Sequence, residues 1–471
     1  MALKWLEGFG LHGASNMCQS LSRKWKGGVQ KAGGLFMVPG RLGGWAARMG
    51  IARIADCLVT PAFTPHSTWI IGFAWKPRSD FLDGTLLKLI APDGIEQVSL
   101  RILPKQQQMI HAYRGDGKRL ASFPVDWCVD VWQYLEMKCR IDNTNGMIAV
   151  RVNGQPAGQQ FVGQTRISPA FNSVCSISIS GVSGGYDLAD IYMFDGDGNT
   201  NNDFVDHAED YAVVSMLPSG AAEYTEWQPT KVTRNFQASL TNDQAFVRAE
   251  RTGQTDTYRF GSTNSRRLQG DVRGMVCQVC CKRNKEYGHP PKMSLLLGTD
   301  EEHAIASFDV DRDSYDTLCF VQERHPGTGE KWFAEDAMSL KAGCRLQAIN
   351  DRTMVCLNSL GIEAFGAIQN IREMRGRCQF SLTTESMSTI QHHFVGDFAI
   401  VSLLSRSTFS KRDGWDRQHE GQGVMLRLQS QSNCGTRPTL SYESGGVPLR
   451  FEGQAGFRRI VSRQNTIDGL A

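Results

Sequence analysis

The octet DYAVVSML, Asp210–Leu217, decides how this sequence is read, because a near copy, DFAIVSLL, returns at Asp397–Leu404. Five of the eight positions are identical, and the others exchange Tyr for Phe, Val for Ile and Met for Leu. Each copy starts at an acid and continues as a nearly unbroken apolar run of strand length. Each is followed some ten residues later by a tryptophan, Trp227 or Trp415. Such a run reads as a strand buried on both faces.

A constant shift of 205 residues places Trp127 on Trp332, Leu135 on Leu340, Cys139 on Cys344, Arg140 on Arg345, Val150 on Val355 and Asn153 on Asn358. The same shift lays WIIGFAWKPR, from Trp69, beside GMVCQVCCKR, from Gly274. The octets are 187 residues apart, which implies a loss of 18 residues between Asn358 and Asp397. The collinear order reads as a tandem duplication of one all-β domain.

A chain of 471 residues can bury two or three cores, and two domains with a tail are expected. With 51 basic and 48 acidic residues the net charge is +3, so no long-range field draws it to nucleic acid or to an anionic membrane. There is no apolar run of membrane-spanning length, and MALKWLEGFGLHG lacks the basic start and apolar core of a signal peptide. Synthesis as a soluble cytoplasmic product is expected. Thirteen cysteines are many for such a product. Reduced, they serve as small buried hydrophobes; after release from the cell some could pair, an odd one remaining free or bonded to another subunit. Cys139, Cys175, Cys344 and Cys378 fall in strand-like runs, which favours buried structural roles. Cys277, Cys280 and Cys281 form one CxxC without the further ligands that a closed zinc site needs.

Along the chain, Leu3–Phe9 reads as a first strand and Ser15–Trp25 as a short helix with a serine cap. The stretch from Gly27 to Gly44, including GRLGG, is a loop or turn. Short apolar runs follow at Trp69–Trp75, Leu86–Ile90, Gln97–Leu103 and Met109–Tyr113, separated by turn residues. This spacing suggests a sandwich or jelly roll. In WQYLEMKCRIDNTNGMIAVRVNG, Trp132–Gly154, two strand-like runs flank Asn145-Gly146, a dipeptide suited to a type I′ hairpin turn. After Gly421 come strand-like Val424–Leu428, Thr439–Tyr442 and Pro448–Glu452.

The hairpin resembles a segment of concanavalin A-like or laminin G-like jelly rolls. MALKWLEGFG, GRLGG, VRVNG, DIYMFDGDGNTNNDF, the Tyr-Thr-Glu-Trp segment and HPGTGEKW with AMSLKAG together resemble a group of bacteriophage virion proteins that carry such a domain. The matches cover roughly residues 1–345. The resemblance implies a non-enzymatic structural component of a phage tail, neck, collar or capsid surface, acting through protein contacts. The expected architecture is all-β. It has an N-terminal arm at 1–34, a concanavalin A-like jelly roll at 35–230, a second, degenerate sandwich at 231–420 and a β-rich extension at 421–471.

Candidate chemistry is sparse. Asp195, Asp197, Asn199, Asn201 and Asp203 alternate along DGDGNTNNDFVD, an oxygen-rich composition suited to calcium, although the glycine of an EF-hand loop is out of place and no glutamate closes it. The competing reading is a solvated turn. GVSGG places Ser183 in the letters of a nucleophile elbow, but YDLADIYMF after it reads as a strand where an elbow needs a helix. No carboxylate pair of the glycosidase kind is evident, and Glu223 and Glu226 read as surface charges. Trp127, Trp132, Trp227, Trp332 and Trp415 could stack on sugars, yet their recurrence favours core roles. His392 and His393, adjacent in a strand, point to opposite faces and do not share a metal. No cofactor is expected beyond a possible calcium. The expected partners are other virion proteins and further copies of the chain, with no nucleic acid and no membrane insertion. The alternative function is a glycan-binding host-recognition module on a tail fibre or tip.

Overall fold

The computed structural model describes residues 2–12, 17–26, 35–41, 44–50, 57–104, 108–230, 246–260, 268–284, 289–299, 301–349 and 353–368, and five strands between 378 and 453. Two compact units, Met1–Gln369 and Asn370–Ala471, make up the chain. The protein is almost entirely β, as its alternating apolar runs predict.

The first sandwich contains β1 (Leu3–Glu7), helix α1 (Met17–Lys24), β2 (Phe36–Pro39), β3 (Trp45–Met49), β4 (Cys57–Val59), β5 (Thr68–Pro77), β6 (Gly84–Ile90), β7 (Glu96–Ile102), β8 (Met109–Arg114) and β9 (Arg119–Pro124). It continues through β10 (Gln133–Arg140), β11 (Gly146–Val152), β12 (Gln155–Pro156), β13 (Phe161–Gly163), β14 (Ser176–Ser180) and β15 (Tyr186–Phe194). One sheet runs β12-β11-β10-β5-β15-β3-β2, with β1 added to β15; the other runs β4-β14-β6-β7-β8-β9. Between them lies a core that includes Trp5, Trp25, Trp69, Trp75 and Trp127.

The second sandwich contains β16 (Tyr211–Met216), β17 (Gly220–Thr225), β18 (Gln228–Pro229), β19 (Val247–Ala249), β20 (Thr255–Arg259), β21 (Leu268–Arg283), β22 (Lys292–Gly298) and β23 (His303–Asp309). It ends with β24 (Asp316–Gln322), β25 (Trp332–Phe333), helix α2 (Ala334–Met338), β26 (Lys341–Ala348) and β27 (Val355–Ile368). Its sheets run β18-β19-β27-β21-β24, with β16 added to β27, and β17-β20-β26-β22-β23.

The two sandwiches repeat one plan. β1 pairs β15 as β16 pairs β27, β5 pairs β15 as β21 pairs β27, and β14 joins β4 to β6 as β26 joins β20 to β22. The two sandwiches thus share a strand order, but the correspondence of strands differs from the one read in the sequence. The WIIGFAWKPR and GMVCQVCCKR runs are counterparts, as β5 and β21. The other matches are not: Leu135, Cys139 and Arg140 lie on β10, between β5 and β11, whereas Cys344 and Arg345 lie on β26 in the opposite type of sheet. Alternating apolar residues fit any strand, so one shift can align strands from different sheets. The octet at Asp210 opens the second sandwich and does not close the first, so the expected division at 230/231 falls after β16. The expected arm at 1–34 supplies β1 to the first sandwich. The second octet and Trp415 lie outside the described residues.

The sheet of the first sandwich that holds β5 and β15 faces the sheet of the second that holds β21 and β27. The seam is apolar: Leu3, Leu6, Ile70, Ala74, Tyr134, Tyr192 and Phe194 meet Val213, Val276 and Phe365. Glycine is required at a close approach of the two backbones, where a Cβ on Gly8 would stand 2.6 Å from the Val213 carbonyl oxygen. Buried charge crosses the seam as well. Lys24 Nζ lies 3.0 Å from Glu7 and 2.7 Å from Glu363, and donates to the Leu6 carbonyl at 2.6 Å. Gln278 and the Gly8 amide donate to Glu363, and the Trp25 indole donates to Glu7. Burial opposes ionisation of Glu7, but Lys24 and His12 outweigh it and hold that carboxyl well below its ordinary range. Arg41 of GRLGG reaches across to the entry of the second sandwich. It donates to Asp190 at 2.9 Å and to the Glu209 and Tyr211 carbonyls.

Burial raises Glu363 to about 7, with Lys24 opposing and Glu7 adding to the rise. It also raises Glu136, which accepts from Tyr192 and the Val205 amide, to about 7. An unfolded carboxyl titrates near 4.5, so between 4.5 and about 7 the native state holds protons that the unfolded chain has released. These groups therefore lower stability as pH rises through that window. Urea midpoints are expected to fall less over this range in Glu136→Gln than in the wild type; an equal or steeper fall contradicts the assignment.

In the second unit β28 (Cys378–Thr383), β29 (Thr389–Phe394), β30 (Leu426–Ser430), β31 (Thr439–Ser444) and β32 (Val447–Gly453) form one sheet, ordered β29-β28-β30-β32-β31. The expected boundary at 420/421 falls inside this sheet, because β30 pairs with β28 on one side and β32 on the other. His392 and His393 are both in β29.

Candidate functional site

The oxygen-rich loop after β15 does not gather its five predicted ligands. Asp195 is buried; its Oδ1 accepts the Asp197 amide at 2.9 Å, and its Oδ2 lies 2.6 Å from Lys4 Nζ and 3.0 Å from His66 Nε2. Asp197 Oδ2 lies 2.9 Å from His66 Nδ1. Asn199 points to solvent. Asn201 faces the second sandwich, donating to the Arg273 carbonyl at 2.9 Å and to Glu323 at 3.0 Å. Asp203 accepts from Lys138 and from the Phe204 amide.

His66, Asp195 and Asp197 thus form a compact group of possible metal ligands. Calcium takes six to eight oxygens, while here an ammonium already neutralises Asp195 and two of the five residues are engaged elsewhere. The loop does not fit calcium. Accordingly, the melting midpoint should be the same in millimolar calcium as in EDTA, and a rise of several degrees with calcium would contradict this reading. Lys4 and His66 were not predictable from the loop, being remote in sequence.

The other candidates resolve as structure. Ser183 bridges to Asp83 in a turn whose Gly184 and Gly185 have positive φ, and β15 follows at once. Glu226 accepts the Thr255 amide and Glu223 accepts from Lys341. Trp127, Trp132, Trp227 and Trp332 are buried. Cys57, Cys139, Cys175, Cys277, Cys280, Cys281, Cys319, Cys344 and Cys356 are free thiols. Cys139 and Cys344 are buried in strands, whereas Cys175 is half-buried just before β14. Burial pushes Cys277 up to about 12, and Cys281 is raised well above the ordinary thiol range, which keeps both protonated within β21. Ser20, His12 and Glu7 form a hydrogen-bonded row, with Ser20 Oγ 2.8 Å from His12 Nδ1. The adjoining cavity, about 20 Å³, is the size of one water molecule.

A second site lies on the outward face of β6, β7, β8, β9 and β14. Their apolar residues, among them Leu87, Leu89, Val98, Leu100, Ile110, Ala112, Ile177 and Ile179, enter the core. Period-two alternation therefore sends Lys88, Ser99, Arg101, His111, Tyr113 and Ser178 outward. Registry sets Ser178 beside Lys88, Lys88 beside Ser99, Ser99 beside Tyr113 and Arg101 beside His111. Glu96 receives Lys88 at 2.9 Å and Arg101 at 3.2 Å, and Arg101 also donates to Ser99 Oγ at 3.0 Å. The Arg101 guanidinium lies over the Tyr113 ring, 4.9 Å from its centroid. Ser99, His111 and Ser178 are only 0%, 1% and 3% exposed, covered by their taller neighbours. His111 Nδ1 is 2.8 Å from Ser122 Oγ, and burial together with Arg119 holds the imidazole below its usual value. The polar half of each alternating run signalled this face in the sequence; only the registry shows that the residues converge.

These features define an all-β protein of tandem jelly-roll sandwiches. No protein-family description matches the chain. No curated protein matches it. Among solved structures, the cellulose induced protein Cip1 is 12% identical, with 40% of this chain and 96% of that one covered and a TM-score of 0.30. The catalytic domain of a glycoside hydrolase family 131 protein from Coprinopsis cinerea is 13% identical, covering 44% and 100%, with a TM-score of 0.29. A carbohydrate esterase from the Shiga toxin-encoding bacteriophage phi24B is 14% identical, covering 40% and 99%, with a TM-score of 0.27. At these values the likeness carries no argument about activity.

Proposed function

We propose that this chain is a non-enzymatic structural component of a bacteriophage particle, made in the host cytoplasm and working in the virion through contacts with other particle proteins and further copies of itself. The observation that carries the reading is the fusion of two sandwiches into one body across an apolar seam with buried charge. A permanent joint of this kind suits a part that holds a fixed geometry. The virion resemblance of residues 1–345 supports the same reading. Antibody to residues 1–225, imaged on intact particles, tests it: labelling at the neck, tail shaft or capsid is expected, and unlabelled particles would overturn it.

A second reading, glycan recognition at a tail fibre or tip, is favoured by the polar outward face of β6–β9. Hydroxyl-rich ligands need paired donors and acceptors at fixed spacing. Lys88, Glu96, Ser99 and Arg101 supply such a set. Labelling confined to the distal tail, with adsorption blocked by added soluble protein, would decide for this reading.

A further inference from the structure

We infer that His66, Asp195 and Asp197 bind a divalent transition-metal ion of the zinc class where β1, β5 and β15 meet. Phe194, the last residue of β15, pairs with Leu3 of β1 on one side and with Ile70 of β5 on the other. Asp195 therefore leaves the sheet between Lys4 and the approach to β5, where His66 stands. The backbone fixes both residues. His66 exchanges hydrogen bonds of 3.1 and 2.8 Å with Val174, and the Asp195 amide donates to the Ala2 carbonyl at 2.8 Å. One ligand atom from each of His66, Asp195 and Asp197 lies within 4.8 Å of the other two.

The imidazole decides what belongs there. Its Nε2 is 3.0 Å from Asp195 Oδ2 and its Nδ1 is 2.9 Å from Asp197 Oδ2, yet a neutral ring has only one N–H to donate. One contact then sets a nitrogen lone pair against a carboxylate oxygen, and either a second proton or a metal ion relieves it. Two carboxylates on one ring match the doubly charged occupant. Asp195 Oδ2 points the same way: it is fully buried and ion-paired with Lys4 at 2.6 Å, but it makes no hydrogen bond of good geometry among the described residues.

One imidazole and two carboxylates suit zinc and its neighbours in the first transition series, which combine nitrogen with oxygen ligands; water takes the fourth position. Calcium needs more oxygens than this group supplies. Asp197, 65% exposed, provides the entry path. Lys4, itself partly exposed, is the competitor for Asp195 and swings to solvent when the ion arrives. A bound ion would fasten the loop whose Asn201 reaches Glu323 and the Arg273 carbonyl in the second sandwich, so its binding strengthens the joined body.

Titration of the full chain with cobalt(II) chloride, then displacement by zinc chloride, tests the site. Cobalt held by thiolates gives an intense near-ultraviolet band that a nitrogen and oxygen site lacks, so the spectrum separates this site from the cysteines. The expected result is a single cobalt without that band, displaced by zinc, and a melting midpoint several degrees higher in zinc than in EDTA. Binding should weaken about tenfold or more in His66→Ala, stay unchanged in Asn199→Ala, and tighten roughly tenfold in Lys4→Met. Asp197→Asn, on the exposed side, should weaken it as well and serves if His66→Ala disturbs folding. No binding of either metal, or a thiolate band alone, overturns the inference. Binding indifferent to His66→Ala and Asp197→Asn overturns the location, and equal stabilisation by calcium overturns the choice of metal.

Discussion

Lys24→Met is expected to destabilise the two-sandwich body by about 3–5 kcal/mol, because it leaves Glu7 and Glu363 buried and uncompensated. All three side chains are fully enclosed, so water cannot replace the lost ammonium. Coulomb attraction alone does not set the size of the effect. Burial opposes ionisation of Lys24 too, and its carboxylate partners Glu363 and Glu7 do most to reverse that cost. The corresponding fall in melting midpoint is roughly 5 °C for a body of this size. Lys26→Met is the control: its partner, Asp316, is part-exposed, as is Lys26 itself, and such pairs contribute less than about 1 kcal/mol. Adding Glu363→Gln to Lys24→Met should recover part of the loss, since one stranded charge is removed with its partner. Equal urea midpoints for Lys24→Met and Lys26→Met would show that the buried network does not hold the seam.

Phe365→Ala should cost a similar amount, about 3–5 kcal/mol, through the cavity it leaves. The ring is fully buried where the two sandwiches meet, stacked on Tyr192 at 4.7 Å and close to Tyr211 at 5.4 Å. Gly72 shows how closely this region is packed, since a Cβ there would stand 2.2 Å from the Tyr192 ring. Because the loss falls on the seam, calorimetry should show the single transition broadening or splitting into two. Phe333→Ala, at a ring 43% exposed, should change the midpoint little. A single sharp transition at the wild-type temperature for Phe365→Ala would mean that the sandwiches are joined by something other than this packing.

The two variants probe features that differ in how far the sequence displayed them. Glu7 and Lys24 are near neighbours in the chain, but Glu363 sits in VCLNSLGIEAFGAI, an apolar run where an acid reads as an ordinary outward residue. Nothing local says that it meets Lys24, 339 positions away. His66 and Lys4 joined Asp195 in the same unannounced way. The loop from Asp195 to Asp203 showed its oxygen content plainly, and the tertiary structure then assigned that content to three separate neighbours.

The residue pattern by itself determined that this chain is an all-β protein of repeated sandwiches, since side-chain period, turn residues and burial of tryptophan are short-range consequences of amino-acid type. It did not determine which strands correspond. An apolar alternation carries no label for the sheet it joins, so the octet at Asp210 could close one sandwich or open the next. The tertiary structure decided that question through backbone pairing with β27. It also decided what lies between the sandwiches and which polar residues share the outward face of β6–β9, because registry and cross-seam contact depend on distances that sequence order does not encode.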